Sequence, residues 1–399
     1  MTPSRSLSAQ VIARPVIAGI VTALVGFTSS FAVVLAGLHA VGATESQAAS
    51  GLLALTLAFG LGAVFLSWTS RLPVTLAWST PGAALLAGST GLDGGWPAAV
   101  GAFLLTGVLF MLTGLVPALG QLLRRIPAAL AQAMLAGVLL PLCLQPFTAL
   151  ASVPLLVIPV LVLWLLLTVM APRWAVPAAF VLALAGIVLS MVIQGHPLVL
   201  EHIWPELHWT TPRLTVQAVV GVALPLFVVT MASQNVPGVA VLASFGYQTP
   251  WRPAMLVTGV GTALAAPWGG HAINLAALSA ALTAGEEAGP DRRRRWIAAF
   301  TSGWAYLLLA GCSALLVAVI SAGPRGVIEA VAGLALMSTL IAALSRALQE
   351  PSDRIPAAIT LLLAASGISF AGIGAAFWAL VIGLLVRWLF RRTTRRSGL

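Results

Sequence analysis

The chain alternates long apolar runs with short breaks of proline, glycine or arginine over its whole length of 399 residues. The runs measure roughly 15 to 24 residues, and a helix needs about 20 apolar residues to cross the hydrocarbon core of a bilayer. This pattern predicts an all-α polytopic membrane protein with fourteen transmembrane segments. We expect them near residues 16–38, 46–67, 73–90, 97–119, 127–148, 154–171, 174–195, 214–236, 252–266, 267–284, 296–320, 325–346, 355–371 and 373–391.

Segments 3 and 10 are each predicted to be a short strand plus a half-helix that starts in mid-membrane. In segment 3, PVTLAWSTPGAALL, Thr80 can cap the helix and Pro81 fits its first turn, where a missing N–H costs nothing. A similar stretch follows 190 residues later, counted from Trp78 to Trp268. In this match the places of Ser79, Thr80 and Pro81 are taken by Gly269, Gly270 and His271. Two broken segments at corresponding places indicate a transporter binding site.

The fourteen segments divide into two halves of seven. Residues 1–195 form the first half, residues 196–213 an outer connecting loop and residues 214–399 the second half. Because each half holds an odd number of segments, the second half must run upside down relative to the first. The sequence therefore predicts a 7+7 inverted repeat.

Charge is sparse and one-sided. The mean hydropathy is +1.03 and only 8% of residues are charged, which excludes a water-soluble core. The net charge of +10 is the balance of 20 arginines against 10 acidic residues, and the chain has no lysine. With alternating segments, all of the arginines except Arg213 and Arg325 fall on one face, so we expect both termini in the cytoplasm. The basic charge thus indicates membrane orientation, with lipids as partners and no nucleic acid.

Uncharged polar residues inside segments 1 and 8 are candidates for a binding site, because polar groups in hydrocarbon need partners. Segment 1 carries Thr28 and Ser30 near Gly26, which helix packing alone could also explain. In segment 8, Ser233, Gln234 and Asn235 come just before Pro237-Gly238. Adjacent carboxamides at this depth favour contact with a ligand.

The ligand is expected to be an anion. Half-helix N-termini present unpaired N–H groups and the positive end of the helix dipole, and Gly82, Gly269 and Gly270 let a carboxylate approach the backbone. His271 is the one histidine within the predicted membrane core, and Asn274 follows one turn later if a helix begins there. His271 is either a packing residue or the carrier of a proton. No catalytic motif, metal-ligand cluster or cofactor motif occurs, so the sequence predicts neither an enzyme nor a metal or cofactor site.

Three motifs carry a resemblance that covers essentially the whole chain. They are AWSTPGAALL from Ala77, TMASQNVPGVAVL from Thr230 and GGHAINLAA from Gly269. The chain resembles the BenE-type benzoate/proton symporter family, which is related to uracil permeases and sulfate-type anion transporters. The resemblance implies a core domain (about 15–125 and 214–321), a gate domain (about 126–195 and 325–391), a homodimer and a bacterial inner membrane.

It also implies import of benzoate or a related aromatic carboxylate with a proton, by alternating access. The proton travels on His271 or on the substrate itself. Another anion, a nucleobase or a passive anion channel are the alternatives, and the glutamate that nucleobase carriers place on segment 8 is absent here. The candidate substrate-binding residues are Phe27, Thr28, Ser30, Trp78, Ser79, Thr80, Gly82, Ser233, Gln234, Asn235, Gly269, Gly270, His271 and Asn274.

Overall fold

The computed structural model describes residues 4–89, 91–116, 127–194, 205–368, 370 and 373–396. Helices dominate these residues, which confirms the predicted all-α membrane fold. In chain order they are α1 Ser4–Ala40, α2 Glu45–Ser70, α3 Thr80–Ala87, α4 Gly95–Leu115, α5 Ala128–Thr148, α6 Pro154–Met170, α7 Pro172–Gln194, α8 Val216–Ser244, α9 Trp251–Ala265, α10 Ala277–Ala284, α11 Trp296–Ala310, α12 Ser313–Ser321, α13 Val327–Ala347, α14 Arg354–Ala365 and α15 Ala375–Arg396.

Within the described residues, seven helices are long and apolar enough to cross a membrane, or eight if the bent pair α11 and α12 forms one span. Shorter elements lie at the other predicted segments, so the exact number of fourteen stays a prediction. Residues 195–204, the first part of the predicted outer loop, lie outside the described residues. The predicted boundary between core and gate near residue 125 lies outside them as well.

Both broken segments contain a short strand followed by a half-helix, as predicted. Strand β1 (Leu76–Trp78) leads into α3, and strand β2 (Ile273–Leu275) leads into α10. The strands pair antiparallel, with Ala77 opposite Asn274. One buried two-stranded ribbon therefore joins the two halves of the chain.

The predicted start of the second half-helix is wrong by seven residues. Helix α9 reaches Ala265, a 3-10 turn follows, and Gly269 adopts a left-handed conformation with φ of 94°. Gly269, Gly270 and His271 therefore precede β2 rather than open a helix. The strands and half-helices match at an offset of 197 residues (273 minus 76), which makes Ala276 the counterpart of Ser79.

In α3 the capping residue is Ser79 and not Thr80. The Ser79 Oγ accepts a hydrogen bond from the Gly82 N–H at 3.1 Å, and Pro81 is the second residue of the helix. The predicted cap thus lies one residue too late. The shift arises because Ser79 keeps the extended backbone of the strand, which is the conformation that a capping residue needs.

Side chains complete the hydrogen bonds of β2. The Ile273 N–H donates to Thr262 Oγ1 of α9 at 3.0 Å, and the Leu275 N–H donates to Asn235 Oδ1 of α8 at 2.9 Å. Backbone groups in hydrocarbon have no water to bind, so an open strand edge must find such partners within the protein. Thr262 and Asn235 therefore make a strand possible at this depth.

Helices from the two halves interleave around the ribbon. Helix α4 packs on α9, α2 packs on α11, and α5 packs on α13 and α14. Small residues permit the closest approach: a Cβ added to Gly107 of α4 would lie 2.8 Å from the Gly259 carbonyl oxygen of α9. Each of these pairs joins a helix of the first half to a helix of the second half, as an inverted repeat produces. The ribbon is therefore packed between helices of both halves.

Replacing Asn235 with alanine is expected to destabilise the protein, because it leaves the Leu275 N–H buried without an acceptor. The expected loss is about 1 to 3 kcal/mol in the free energy of unfolding. Thermal unfolding of the purified protein in detergent measures it. Ser233→Ala is the control on the same helix, since the Ser233 hydroxyl bonds only the Val229 carbonyl of its own helix. Equal melting temperatures for both variants would contradict this role of Asn235.

Candidate functional site

The two half-helices begin at opposite ends of one ribbon. The Ser79 N–H donates to the Ala272 carbonyl at 2.9 Å, and the Ala276 N–H donates to the Thr75 carbonyl at 3.0 Å. These bonds extend the pairing to the residue before each helix. The N-termini of α3 and α10, each eight residues long, are therefore held in place by the same backbone hydrogen bonds.

The two N-termini differ in what they offer to a ligand. In α3, the Ser79 hydroxyl accepts a hydrogen bond from the Gly82 N–H and lies 2.7 Å from Thr230 Oγ1. Pro81 has no N–H, so this helix start has few free donors for a ligand. Helix α10 has alanine at its cap and no side-chain cap bond. Its first-turn N–H groups lack intrahelical acceptors. The N-terminus of α10 is thus the better place for an anion.

Helix α1 passes both N-termini. The Thr80 hydroxyl of α3 donates to Ser30 Oγ at 2.8 Å. Near α10, a Cβ added to Gly26 would clash with the Tyr306 hydroxyl and lie 3.5 Å from Ser279 Oγ. The absence of a side chain at Gly26 therefore lets α1 lie against the first turn of α10. Thr28, by contrast, bonds the Leu24 carbonyl of its own helix.

Aromatic side chains form a wall beside the start of α3. The Trp78 ring lies 5.3 Å from the Phe27 ring, 6.4 Å from the Phe31 ring and 5.4 Å from the Phe59 ring, measured between centroids. Phe31 also lies 5.9 Å from Phe180 of α7. All five side chains are almost completely buried. This wall offers faces and edges against which an aromatic ring can pack.

The polar stretch of α8 is wound as a π-helix over Met231–Asn235. Such wide turns are frequent at functional sites. The Asn235 carboxamide accepts a hydrogen bond from the Leu275 N–H of β2. The Gln234 carboxamide is half-buried and makes no hydrogen bond to the described residues. Gln132 of α5 donates from Nε2 to the Ala232 carbonyl at 3.3 Å. Gln234 is therefore the free carboxamide of this turn.

His271 and Asn274 lie on the extended chain around β2. Both are fully buried, and the His271 Nδ1 accepts a hydrogen bond from the Ala272 N–H. The His271 ring meets the Phe103 ring edge-on at 6.3 Å. Its Nε2 and both amide atoms of Asn274 have no partner among the described residues. Since the chain is extended here, the two side chains do not share a helix face.

The predicted site residues thus fall into two groups. Ser30, Ser79, Thr80 and Gly82 lie at the start of α3, with Phe27 and Trp78 in the wall and Ser233 and Gln234 on the π turn. Gly269 and Gly270 lie in the turn before β2, where Gly269 packs against Trp96. They are not at the N-terminus of α10.

The sequence interpretation missed two polar residues near the site. Ser279 is the third residue of the true half-helix, so the misplaced helix start concealed it. Gln132 is a single amide in the apolar run AALAQAML, and a lone polar residue in such a run indicates a buried polar contact. The spacing of residues in the sequence does not reveal the partners of Ser279 or Gln132.

Residues 9–389 match the model of the BenE family, described as benzoate membrane transport protein. The chain belongs to this family. It is 38% identical over 368 residues to the inner membrane protein YdcO of Escherichia coli (strain K12), covering 92% of this chain and 93% of that protein. It is 29% identical over 377 residues to the benzoate membrane transport protein of Acinetobacter baylyi, covering 94% of each.

Solved structures share the fold. The transmembrane domain of the cyanobacterial bicarbonate transporter BicA superposes with a TM-score of 0.57 at 16% identity, covering 95% of this chain and 96% of that one. SLC26A9 gives a TM-score of 0.62 at 13% identity, covering 94% of this chain and 65% of that one. At this identity the likeness concerns the fold alone. Together with the family, it makes the chain a multi-pass membrane transport protein.

Replacing Ala276 with serine is expected to weaken substrate binding. The new hydroxyl would cap α10 as Ser79 caps α3, and it would compete with an anion for the first-turn N–H groups. A cap is worth about 1 kcal/mol, so we expect KM for the transported anion to rise about fivefold. Uptake kinetics in proteoliposomes measure the change. Ala276→Gly, which adds no oxygen, is the control. An unchanged KM in Ala276→Ser would show that the anion does not bind at α10.

Proposed function

We propose that this protein is a secondary active transporter that imports benzoate or a related aromatic carboxylate together with a proton. The observation that carries the proposal is the uncapped N-terminus of α10, which lies at the opposite end of the ribbon from the start of α3. The chain has no lysine, and no arginine occurs in β1, α3, the π turn of α8, β2 or α10. A helix N-terminus is then the available source of positive potential for a carboxylate in this interior.

The surroundings of this N-terminus support an aromatic acid. The carboxylate lies at the first turn of α10, where Gln234 donates a further hydrogen bond, and the ring packs against Phe27 and Phe31. Phe27 is already in contact with Trp78, so the wall is preformed. The name of the Acinetobacter relative supports the same substrate class. A nucleobase would lack the negative charge that this site favours.

Transport occurs by movement of a core domain against a gate domain in this proposal. Helices α1–α4 and α8–α11 pack around the ribbon, whereas α5–α7 and α13–α15 pack mainly with one another. The contacts that join the groups include Phe31 with Phe180, Gln132 with Ala232, and Arg173 with Glu287 at 3.2 Å. If the core moves as a rigid body against the gate, these contacts must break and others must form.

The arginine distribution supports an orientation with both termini in the cytoplasm, across a bacterial inner membrane. The YdcO relative is itself described as an inner membrane protein. A homodimer is part of the proposal as well. It would leave the core of each copy free to move while the gate domains stay in contact.

His271 is proposed as the proton carrier. No titratable side chain occurs in β1, α3, the π turn, β2 or α10, and His271 lies two residues before β2. Because Nδ1 accepts a hydrogen bond from the Ala272 N–H, the ring hydrogen of the neutral imidazole is on Nε2, where it has no acceptor among the described residues and can donate to water or substrate. Uptake of a second proton at Nδ1 requires the bond from Ala272 to break. The alternative is uptake of the neutral acid, with the proton carried on the substrate. That alternative needs no protonated imidazole in a fully buried position, where an isolated charge is costly.

Uptake of radiolabelled benzoate into proteoliposomes tests the function. We expect accumulation above equilibrium when an inward proton gradient is imposed, and its loss when a protonophore dissipates the gradient. Unlabelled uracil and bicarbonate in excess test the other substrates. Saturable accumulation that benzoate alone inhibits supports the proposal. Non-saturating anion currents without a gradient would contradict it and indicate a channel.

His271→Gln tests the route of the proton. If His271 carries it, the variant binds benzoate normally but accumulates it to the same level with and without a proton gradient. The measurement is the ratio of internal to external benzoate as a function of external pH. His208→Gln, in the described part of the connecting loop, is the matched control. Full pH-driven accumulation in His271→Gln would assign the proton to the substrate.

A further inference from the structure

The guanidinium of Arg71, the residue after α2, lies against two indole rings. Its guanidinium carbon lies 4.1 Å from the centroid of Trp68 and 4.2 Å from that of Trp296. The side chain makes no ion pair and no hydrogen bond to the described residues, and Arg71 is exposed. The two rings are 5.7 Å apart and inclined at 73°, so they border the guanidinium on adjacent sides, and its N–H groups have no acceptor among the described residues. Arg71 therefore presents unpaired N–H donors, positioned by two aromatic contacts, at the membrane surface.

The backbone of Arg71 does not explain why an arginine is found here. Its φ of 54° is left-handed, and among the described residues it is the one non-glycine residue with a positive φ. Its N–H donates to the Ser67 carbonyl at 3.0 Å and closes the end of α2. Glycine is the usual residue at such a helix end, because it has no Cβ to strain. The side chain thus has a role that outweighs the local strain.

An apolar groove lies on the same side of α2. It has a volume of about 520 Å³ and is lined by apolar residues of α2 and α9, together with Leu207 and Trp268. Three large side chains along it are more than half exposed: Leu61 at 57%, Phe65 at 56% and Leu264 at 68%. In a membrane protein such a groove opens to lipid.

The groove and Arg71 are aligned along α2. Leu61, Phe65 and Trp68 are spaced by four and three residues, so they lie on one helix face that leads to Arg71. The groove extends from Ala54 to Phe65, which at 1.5 Å per residue is about 17 Å. One leaflet of the hydrocarbon core is about 15 Å thick. An acyl chain that starts near Arg71 and spans one leaflet therefore reaches about ten residues along α2, to Leu61, and lies in the half of the groove nearest the guanidinium.

We propose that Arg71 and this groove form a binding site for an anionic phospholipid. The phosphate binds the guanidinium edge of Arg71, and one acyl chain lies between α2 and α9. An arginine fork matches the geometry of a phosphate, and the site lies on the membrane face that carries most of the arginines.

The site lies directly behind the ribbon. A Cβ added to Gly62 would lie 2.6 Å from Leu76 Cδ1, and one added to Gly261 would lie 2.5 Å from Ile273 Cδ1. Both glycines line the groove. An acyl chain there is separated from the paired strands by a single layer of side chains. Binding of the lipid is therefore expected to stabilise the ribbon that holds α3 and α10.

Lipid retention tests the proposal. The full-length protein in detergent is incubated with equal amounts of dioleoyl phosphatidylglycerol and dioleoyl phosphatidylcholine, and bound lipid is counted by native mass spectrometry. We expect preferential retention of phosphatidylglycerol. Arg71→Gly should lower this retention about fivefold, which corresponds to about 1 kcal/mol per arginine near an anionic lipid. Its melting temperature before lipid is added should not fall. Arg392→Gln is the control, because Arg392 stacks on Trp388 alone.

Two further arms identify the source of the phosphate and the role of the groove. Ala58→Phe, which fills the groove, should lower retention of the dioleoyl lipid but not of a short-chain phosphatidylglycerol. Displacement of the lipid by inorganic phosphate would assign the site to a free anion and overturn the proposal. Equal loss in Arg71→Gly and Arg392→Gln would attribute retention to general basic charge and overturn it too.

Discussion

The structure depends on the backbone hydrogen bonding of two three-residue strands inside the membrane. Hydrocarbon offers no partner to a free N–H or C=O, so strands can exist there only if every edge is covered. Pairing with β1 covers one edge of β2, and Thr262 and Asn235 cover N–H groups on the other. This constraint fixes where α3 and α10 begin, and so places two helix N-termini deep in the protein.

The two N-termini are related by the repeat but are not equivalent. Ser79 caps α3 internally, while Ala276 leaves the first turn of α10 open. We therefore propose that a binding site arises from a difference of one hydroxyl between matching positions. In this proposal the same difference accounts for an anion site without basic side chains. Phe27 and Phe31 would add the apolar surface that a carboxylate with an aromatic ring needs.

Sequence reasoning succeeded where the signal is local. Run lengths and the position of Pro81 predicted the membrane fold and both broken segments, because hydropathy and helix breakers act over a few residues. The second half-helix was misplaced because Trp268 offered a closer match to Trp78 than the true counterpart, Leu275. Gly269 and Gly270 resemble a helix start but form a left-handed turn. The contacts of Ser279 and Gln132 depend on helices far apart in sequence, so no local pattern could predict them.

A structure determined with benzoate bound tests the central claim most directly. The account predicts carboxylate oxygens within hydrogen-bonding distance of the first-turn N–H groups of α10, at Ala277 and Ser279, with the ring against Phe27 and Phe31. A carboxylate bound instead to an arginine at the membrane surface, with the start of α10 free of ligand, would contradict it.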